Sequence, residues 1–220
     1  ANEDSQAFEF DDTNIFDLNR YAGTDLITGG SRIDYGLRSS IANNDGQQSE
    51  LLLAQSYRFA GNSSFSEASG LEHKKSDYVG RFTFFPNHAF NINYRFRLDS
   101  ANFSPSRTEL GLNLFLQQHI IALDYILIDE QRETEEFGNR EQMDLKINSQ
   151  LLANWTSNLQ LVQDFTDSSN RTIKASLGVT YTDECFTIGL QYQREDMSGE
   201  KLQPEDQVVL LINFRDLGSL

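Results

Sequence analysis

The sequence predicts an all-β fold, an antiparallel transmembrane β-barrel to which this chain contributes about eleven strands. Three observations predict it: apolar and polar residues alternate in segment after segment, each segment is about ten residues long, and short and long connections take turns between them. A tilted strand needs about ten residues to cross a bilayer, whereas strands of other globular proteins average about five or six.

The composition is compatible with this class. The 220 residues carry a formal net charge of -15, the mean hydropathy is -0.50, and no apolar run is long enough for a membrane helix. Hydropathy averaged along the chain does not reveal the strands of a membrane barrel, because every second residue is polar. The acidic balance argues against a nucleic-acid partner, which would call for a basic surface.

Alternation with a period of two sets the bounds of each predicted strand. In 90–98, for example, Phe90 and Ile92 fall on one side while Asn91 and Asn93 fall on the other. In chain order the predicted strands are 30–41, 50–59, 77–85, 90–98, 109–116, 120–128, 143–151, 155–165, 172–181, 186–193 and 207–214.

Each strand except the last has one apolar face. In the first five strands that face consists of Ile33, Tyr35, Leu37 and Ile41; Leu51, Leu53, Tyr57 and Phe59; Tyr78, Phe82 and Phe84; Phe90, Ile92, Tyr94, Phe96 and Leu98; and Leu110, Leu112, Leu114 and Leu116. In the next five it consists of Ile121, Leu123, Tyr125 and Leu127; Met143, Leu145 and Ile147; Trp155, Leu159, Leu161 and Phe165; Ile173, Ala175, Leu177, Val179 and Tyr181; and Phe186, Ile188, Leu190 and Tyr192. The facing of 120–128 stays open, and 207–214 is apolar on both faces.

Basic residues occupy the opposite faces, which we expect to line a water-filled lumen. These are Arg32, Arg38, Arg95, Arg97, Lys146 and Lys174. A charge that faced lipid at mid-membrane would cost about 2 to 4 kcal/mol, so the placement of these bases favours a barrel.

The connections are of two kinds, in the manner of outer-membrane barrels, which have tight periplasmic turns and longer outer loops. Short ones fall at 43–48, 86–88, 117–119, 152–154 and 182–184, and longer ones at 60–76, 99–106, 129–140, 166–170 and 196–205. Aromatic residues of the apolar faces cluster beside the short turns, where an interfacial girdle is expected: Phe84, Phe90, Trp155, Tyr181, Phe186 and Phe214.

The regular strands and connections argue against a soluble β-sandwich, and the odd number of strands argues against a closed barrel made by this chain alone. A soluble β-sandwich also explains the alternation, but neither the regular strand length nor the ordered asymmetry of the connections. An odd number of strands cannot close an antiparallel barrel, and an open edge in lipid leaves backbone groups unpaired. We therefore expect the chain to be part of a larger barrel.

Four segments resemble a known family. They are NRYAGTDLITGGSRIDYGLRSSI at 19–41, LLLAQSYRF at 51–59, YTDECF at 181–186 and FRDLGSL at 214–220. Together, in this order, they are similar to the C-terminal barrel portion of the lipopolysaccharide-assembly outer-membrane protein family, also called organic solvent tolerance protein.

The resemblance implies a fold and a function. The chain would form the C-terminal part of a barrel in the bacterial outer membrane that assembles lipopolysaccharide into the outer leaflet through a lateral gate. The implied partners are lipopolysaccharide, a plug lipoprotein in the lumen, periplasmic bridge proteins that deliver lipopolysaccharide, and the lipid of the outer membrane. No cofactor, metal or catalytic residue is expected.

The resemblance also implies roles for three places in the chain. Residues 1–30 would form an outer loop that folds toward the lumen, with Arg20, Tyr21, Gly23 and Asp25, and residues 31–215 would carry the strands. The last strand would be the lateral gate, with Val208, Val209, Leu210, Leu211 and Ile212. Cys185 would form an interdomain disulfide, although Glu184 stands where the family often has a second cysteine. An ordinary loop, an ordinary closing strand and a free thiol are the respective alternatives.

Two other functions would require different features. A passive diffusion porin fragment would have a constriction loop and a fixed closing seam. A barrel enzyme would need an acid, a base and a nucleophile at the outer rim, and the sequence contains no such pattern.

Overall fold

The computed structural model describes residues 10–20, 29–60, 65, 69–129, 139–166, 170–196 and 205–214. Its strands are β1 (Arg32–Ala42), β2 (Gln48–Arg58), β3 (Tyr78–Asn87), β4 (Phe90–Leu98), β5 (Pro105–Leu116), β6 (His119–Ile128), β7 (Arg140–Leu152), β8 (Trp155–Asp164), β9 (Arg171–Thr182), β10 (Phe186–Glu195) and β11 (Glu205–Phe214). Within these described ranges, no helix is long and apolar enough to cross a membrane.

The eleven strands form one antiparallel sheet in the order β1 to β11, so every strand is hydrogen-bonded to its neighbours in the chain. Each predicted segment overlaps one observed strand, and the all-β prediction is confirmed. The largest difference lies in β5, which begins at Pro105 rather than at Glu109. Alternation fades there because Arg107 and Glu109 share the polar face with no apolar residue between them.

The predicted alternation of connections is confirmed. Short connections lie at 43–47, 88–89, 117–118, 153–154 and 183–185, and longer ones at 59–77, 99–104, 129–139, 165–170 and 196–204. In the first short turn, Asn43 Oδ1 accepts hydrogen bonds from the backbone of Asp45 (3.0 Å) and Gln47 (2.9 Å). Gly46 then has a φ of 79°, a left-handed conformation that glycine adopts without a Cβ penalty.

The chain divides into two compact units. Unit 1 comprises Ala1–Asn87, Ile92–Leu110 and Ile126–Arg140, and unit 2 comprises His88–Asn91, Gly111–Tyr125 and Glu141–Leu220. In unit 1, a small apolar cluster lies on the polar side of the strands and consists of Phe10, Ile15, Ala54, Leu71 and Val79. Among the described residues of unit 2, no apolar side chain is fully buried.

The apolar side of the strands is exposed. In β2, Leu52 is 5% exposed on the polar side, whereas Leu53 is 40% exposed on the other. Leu53 pairs with Leu37 of β1, and Leu190 of β10 pairs with Leu210 of β11, so exposed apolar side chains lie next to one another in both units. Apolar surface of this extent is unusual for a protein in water and fits contact with hydrocarbon.

Aromatic side chains meet beside two of the short turns in unit 2. The ring centroids of Trp155 and Tyr181 are 5.1 Å apart, and those of Tyr181 and Phe186 are 5.7 Å apart. These distances are within the range of favourable aromatic pairs. The predicted clustering of these aromatic residues at the short-turn end is therefore present in the fold.

Candidate functional site

Residues 10–20, here called the N-terminal segment, lie against the polar side of β1 to β4 in unit 1. Phe10 and Ile15 are 0% exposed and pack in the cluster with Ala54 and Val79. Phe10 also donates its backbone N–H to the Ser69 carbonyl at 3.1 Å. The segment thus covers part of the face that the sequence predicts to line the lumen.

A turn at Asp11 fixes the direction of the acidic side chains in the N-terminal segment. The backbone N–H and the hydroxyl of Thr13 both donate to Asp11 Oδ1, at 2.8 and 2.6 Å. The backbone N–H of Asp11 donates to Asn14 Oδ1 at 3.0 Å. An aspartate that accepts from the residue two positions on stabilises a tight turn. The turn carries Asp12 toward the strands.

Asp12 is the centre of a charged network. Its carboxylate accepts from Arg81 of β3 at 2.9 Å and from Arg95 of β4 at 2.7 Å, and its side chain is only 2% exposed. Asp11 contacts Arg95 as well, at 2.9 Å. Charge-assisted hydrogen bonds of this kind are the strong ones, because both partners are ionised. Two arginines of neighbouring strands are therefore held by one carboxylate of the segment.

The network continues along the polar faces of the strands. Glu50 of β2 accepts from Arg81 at 2.7 Å and from Arg38 of β1 at 2.6 Å. Glu109 of β5 accepts from Arg95 at 3.1 Å and from Arg107 at 2.5 Å. Cations and carboxylates alternate through the network, so the bases on this face have acidic partners on adjacent strands.

Arg20, a predicted lumen residue, ends the N-terminal segment and is buried. Its guanidinium donates to the Ile15 carbonyl at 2.7 Å and to Asp34 Oδ1 of β1 at 2.6 Å, and lies 5.1 Å from the centre of the Phe10 ring. Burial lowers the pKa of Arg20, and the charge of Asp34 opposes that effect. Arg32 binds the other oxygen of Asp34 at 3.1 Å. Tyr21, Gly23 and Asp25 lie outside the described residues.

Arg97 of β4 contacts a carboxylate of the connection 59–77. Its Nε lies 3.5 Å from Asp77 Oδ2, and the Arg97 side chain is almost fully buried. Burial raises the pKa of Asp77 to about 6, although the positive charge of Arg97 works in the opposite direction. The backbone N–H of Ser100 also donates to Asp77, at 3.2 Å.

The pKa of Asp77 leads to a testable dependence on pH. A carboxyl that binds protons more tightly in the folded state contributes stability below its unfolded pKa and loses it as pH rises through the folded value. As pH rises from 4 to 8, we expect the free energy of unfolding of the wild type to fall by about 2 kcal/mol relative to that of Asp77→Asn, which has no carboxyl to titrate at this position. Urea unfolding at each pH measures this difference, and a difference that does not change with pH would contradict it.

The polar side of unit 2 has weaker pairs and more amide groups. Lys146 lies 2.8 Å from Asp144 and 3.7 Å from Asp124 of β6, and Lys174 lies 3.1 Å from Glu195. The contact with Lys146 puts Asp124 on the polar side, which resolves the facing of β6. An open groove on this side is lined by Gln117, Gln118, Ile120, Asn148, Ser149, Gln150, Thr156, Ser157 and Asn158.

Cys185 and the predicted gate strand lie elsewhere in unit 2. Cys185 is an exposed free thiol in the turn 183–185, and its backbone N–H donates to Asp183 Oδ1 at 2.8 Å. Strand β11 pairs with β10 and is exposed along its whole length, including Val208, Val209, Leu210, Leu211 and Ile212.

Of the residues that the structure describes, no group of three His, Cys, Asp or Glu could hold a metal ion.

A known protein family matches most of the chain. The family LPS transport system D (LptD) matches residues 1–155, which include the N-terminal segment, the charged network and the strands through β7. This chain belongs to the LptD family. No curated protein matches the chain. Membership in LptD connects the chain with lipopolysaccharide transport at the outer membrane.

Several cations of this LptD chain were predicted from the sequence, among them Arg20, Arg38 and Arg95, but Arg81 and Arg107 were not. The carboxylates that bind these arginines were not predicted as site residues; they are Asp11, Asp12, Asp34, Glu50 and Asp77. One signal was available, since Asp34 alternates in phase with Arg32 and therefore shares its face. Nothing comparable marks Asp12, because the segment before β1 has no period that fixes its orientation.

Proposed function

We propose that this chain is the C-terminal part of a laterally gated β-barrel of the bacterial outer membrane, which inserts lipopolysaccharide into the outer leaflet. Membership in the LptD family supports the transport role. The exposed apolar side of the strands supports contact with lipid, and the charged side supports a lumen that contains water.

In this mechanism the two chemical parts of lipopolysaccharide take different routes. Sugars and phosphates pass along the polar side of the strands, where charged and amide groups replace their hydration. The acyl chains leave through a seam that opens beside β11 into the membrane. Such a seam must be a place where backbone pairing is easily broken, and the edge strand of a sheet meets that requirement.

The observation that carries the proposal is the character of β11. In the described residues it is hydrogen-bonded to β10 alone, and it is apolar on both faces, with Val209 and Leu211 on one side and Val208, Leu210 and Ile212 on the other. Strand β6 is also largely apolar on both faces, but its polar side carries Asp124, which lies 3.7 Å from Lys146. A strand that separates lipid from lumen needs no apolar lumen face, whereas a strand that acyl chains pass benefits from one.

Photo-crosslinking in cells tests this role of β11. A photoreactive residue at Val209 or Leu211 is expected to capture lipopolysaccharide, because acyl chains would pass these side chains on their way to the membrane. Leu177 of β9, exposed on the apolar side, provides a matched control that contacts lipid but no gate. Equal capture from Leu177 and from the β11 positions would contradict a gate at β11.

The remaining partners follow from the same proposal. A plug lipoprotein would occupy the lumen against the polar side, and periplasmic bridge proteins would deliver lipopolysaccharide at the short-turn end. Cys185 is exposed at that end, in the turn 183–185, and is thus accessible for an interdomain disulfide with a periplasmic domain. The oxidising periplasm favours such a bond.

A further inference from the structure

An exposed phenylalanine in the connection 99–104 lies on the apolar side of unit 1. The Phe103 ring is 60% exposed and stacks on Tyr78 of β3, with ring centroids 5.1 Å apart and an interplanar angle of 16°. Tyr78 has the same parity in β3 as Gly80, which pairs with Leu53 of the exposed apolar side. The connection therefore extends the apolar side beyond the strands, at the end that carries the long connections.

Hydrogen bonds within the connection fix the turn that carries Phe103. Asp99 Oδ1 accepts from the backbone N–H groups of Ala101 and Asn102, at 2.8 and 3.0 Å. The Phe103 N–H donates to the Asp99 carbonyl at 3.0 Å, and the Asp99 N–H donates to the Ser104 carbonyl at 2.9 Å. The ring is thus positioned before any partner binds, so that binding costs little conformational entropy.

The backbone of Phe103 adopts an unfavourable conformation. Its φ is 60°, in the left-handed region, which glycine and asparagine adopt more readily than an aromatic residue does. Strain of this kind is often kept where a side chain has a function. The stack on Tyr78 offsets part of the cost, and transfer of the exposed ring into an apolar medium would offset more of it.

The composition of the connection permits a close approach to a membrane. Its sequence DSANFS contains one charged residue, Asp99, whose carboxylate already accepts two hydrogen bonds from the turn. The connection 129–139, by contrast, is rich in glutamate. Charged side chains are costly to bring into a bilayer, whereas aromatic rings are enriched at its interfaces.

We propose that the connection 99–104 is a membrane anchor, in which Phe103 inserts beside Tyr78 at the boundary between the acyl chains and the head groups. Continuity identifies lipid as the partner, because the two rings lie on the same side as Leu37 and Leu53, whose exposed side chains fit contact with hydrocarbon. Insertion of the ring would fix the height of unit 1 in the membrane at the long-connection end.

The inference rests on the proposed contact of the apolar side with lipid, and one experiment separates the two. The complete protein, with its natural partners, is reconstituted in vesicles of phosphatidylethanolamine with radiolabelled acyl chains. A photoreactive phenylalanine analogue replaces Phe103, Ala101 or Leu37 in separate samples. Ala101 is the matched control, an exposed residue of the same turn. Leu37, which is 60% exposed on the apolar side of β1, is the reference for lipid contact.

We expect the analogue at Phe103 to capture roughly five times as much lipid as at Ala101, and about as much as at Leu37. Equal capture from Phe103 and Ala101 would overturn the anchor. If the analogue at Leu37 captures no lipid, the proposed function fails, and the comparison of Phe103 with Ala101 still decides the anchor.

A second pair of variants tests the stack that holds the ring. Combined with the analogue at Phe103, Tyr78→Ala should lower capture by about twofold, because the ring then loses its support on the apolar side. Phe59→Ala is the control, since it removes another exposed ring that contacts Tyr57. Capture should not change in this control, and equal capture in both variants would overturn the positioning role of Tyr78.

Discussion

Replacing Asp12 with asparagine is expected to lower the free energy of unfolding by about 3 kcal/mol. The Asp12 side chain is 2% exposed and bridges Arg81 and Arg95. Asparagine has nearly the same shape but no charge, so the two guanidinium groups would keep their positions and lose their shared counter-ion. Arg81 and Arg95 are 30% and 24% exposed and keep other carboxylate partners. The cost therefore comes from losing two charge-assisted hydrogen bonds to a carboxylate that is itself almost fully buried.

Asp11→Asn is the matched control for this experiment. Asp11 contacts the same Arg95, but its side chain is 27% exposed and it does not reach Arg81. Exposed pairs contribute about 0 to 1 kcal/mol, so this variant should stay within about 1 kcal/mol of the wild type. Urea unfolding in lipid vesicles measures both. If Asp12→Asn were no worse than Asp11→Asn, the N-terminal segment would not be anchored by this network.

Features of the fold that depend on residues adjacent in sequence could be predicted, whereas features that depend on contacts between distant residues could not. Strand positions and faces could be predicted because alternation is a property of neighbouring residues, as in 90–98, whose predicted bounds equal those of β4. The facing of β6 could not be predicted in this way, since its apolar residues fall on both parities. The contact between Asp124 and Lys146, on another strand, distinguishes the two sides.

The site depends on contacts that are distant in sequence. Asp12 and Arg81 are 69 positions apart, and Asp12 and Arg95 are 83 positions apart. No local pattern determines which carboxylate of an acidic chain meets which arginine. Burial of Phe10 and Ile15 brings the acidic turn to the strands, so the electrostatic network is a consequence of apolar packing that alternation does not encode.

The N-terminal segment gives the polar side of unit 1 a different character from that of unit 2. In unit 1, the carboxylates of the segment neutralise Arg81 and Arg95, and its apolar residues cover Ala54 and Val79. In unit 2, amide and hydroxyl groups such as Asn148 and Thr156 line an open groove. Neutral hydrogen-bonding groups would suit the sugar passage proposed above, because they bind hydroxyl groups without holding them by charge.

Replacing Gly36 with alanine is expected to destabilise the fold by about 2 kcal/mol, and replacing it with valine by more. Gly36 of β1 pairs with Ala54 of β2. A Cβ at position 36 would lie 2.6 Å from the Leu53 carbonyl oxygen and 2.8 Å from Ala54 Cβ. The first contact is with backbone that is fixed by the strand pairing, so it cannot be relieved by a rotamer change.

The clash at Gly36 is expected to destabilise the N-terminal segment as well as β1, because Ala54 belongs to the buried cluster that includes Phe10 and Ile15. Moving β2 to admit the extra methyl would disturb the packing of Phe10 and Ile15 and with it the approach of Asp12 to its arginines. Gly29→Ala is the control, since in the described part of the chain no heavy atom beyond its chain neighbours lies within 4 Å of its added Cβ. We expect that control to unfold like the wild type, while Gly36→Ala unfolds at lower urea and exposes residues 10–20 to protease. Protection of the segment in Gly36→Ala at the wild-type level would show that the two strands can separate without releasing it.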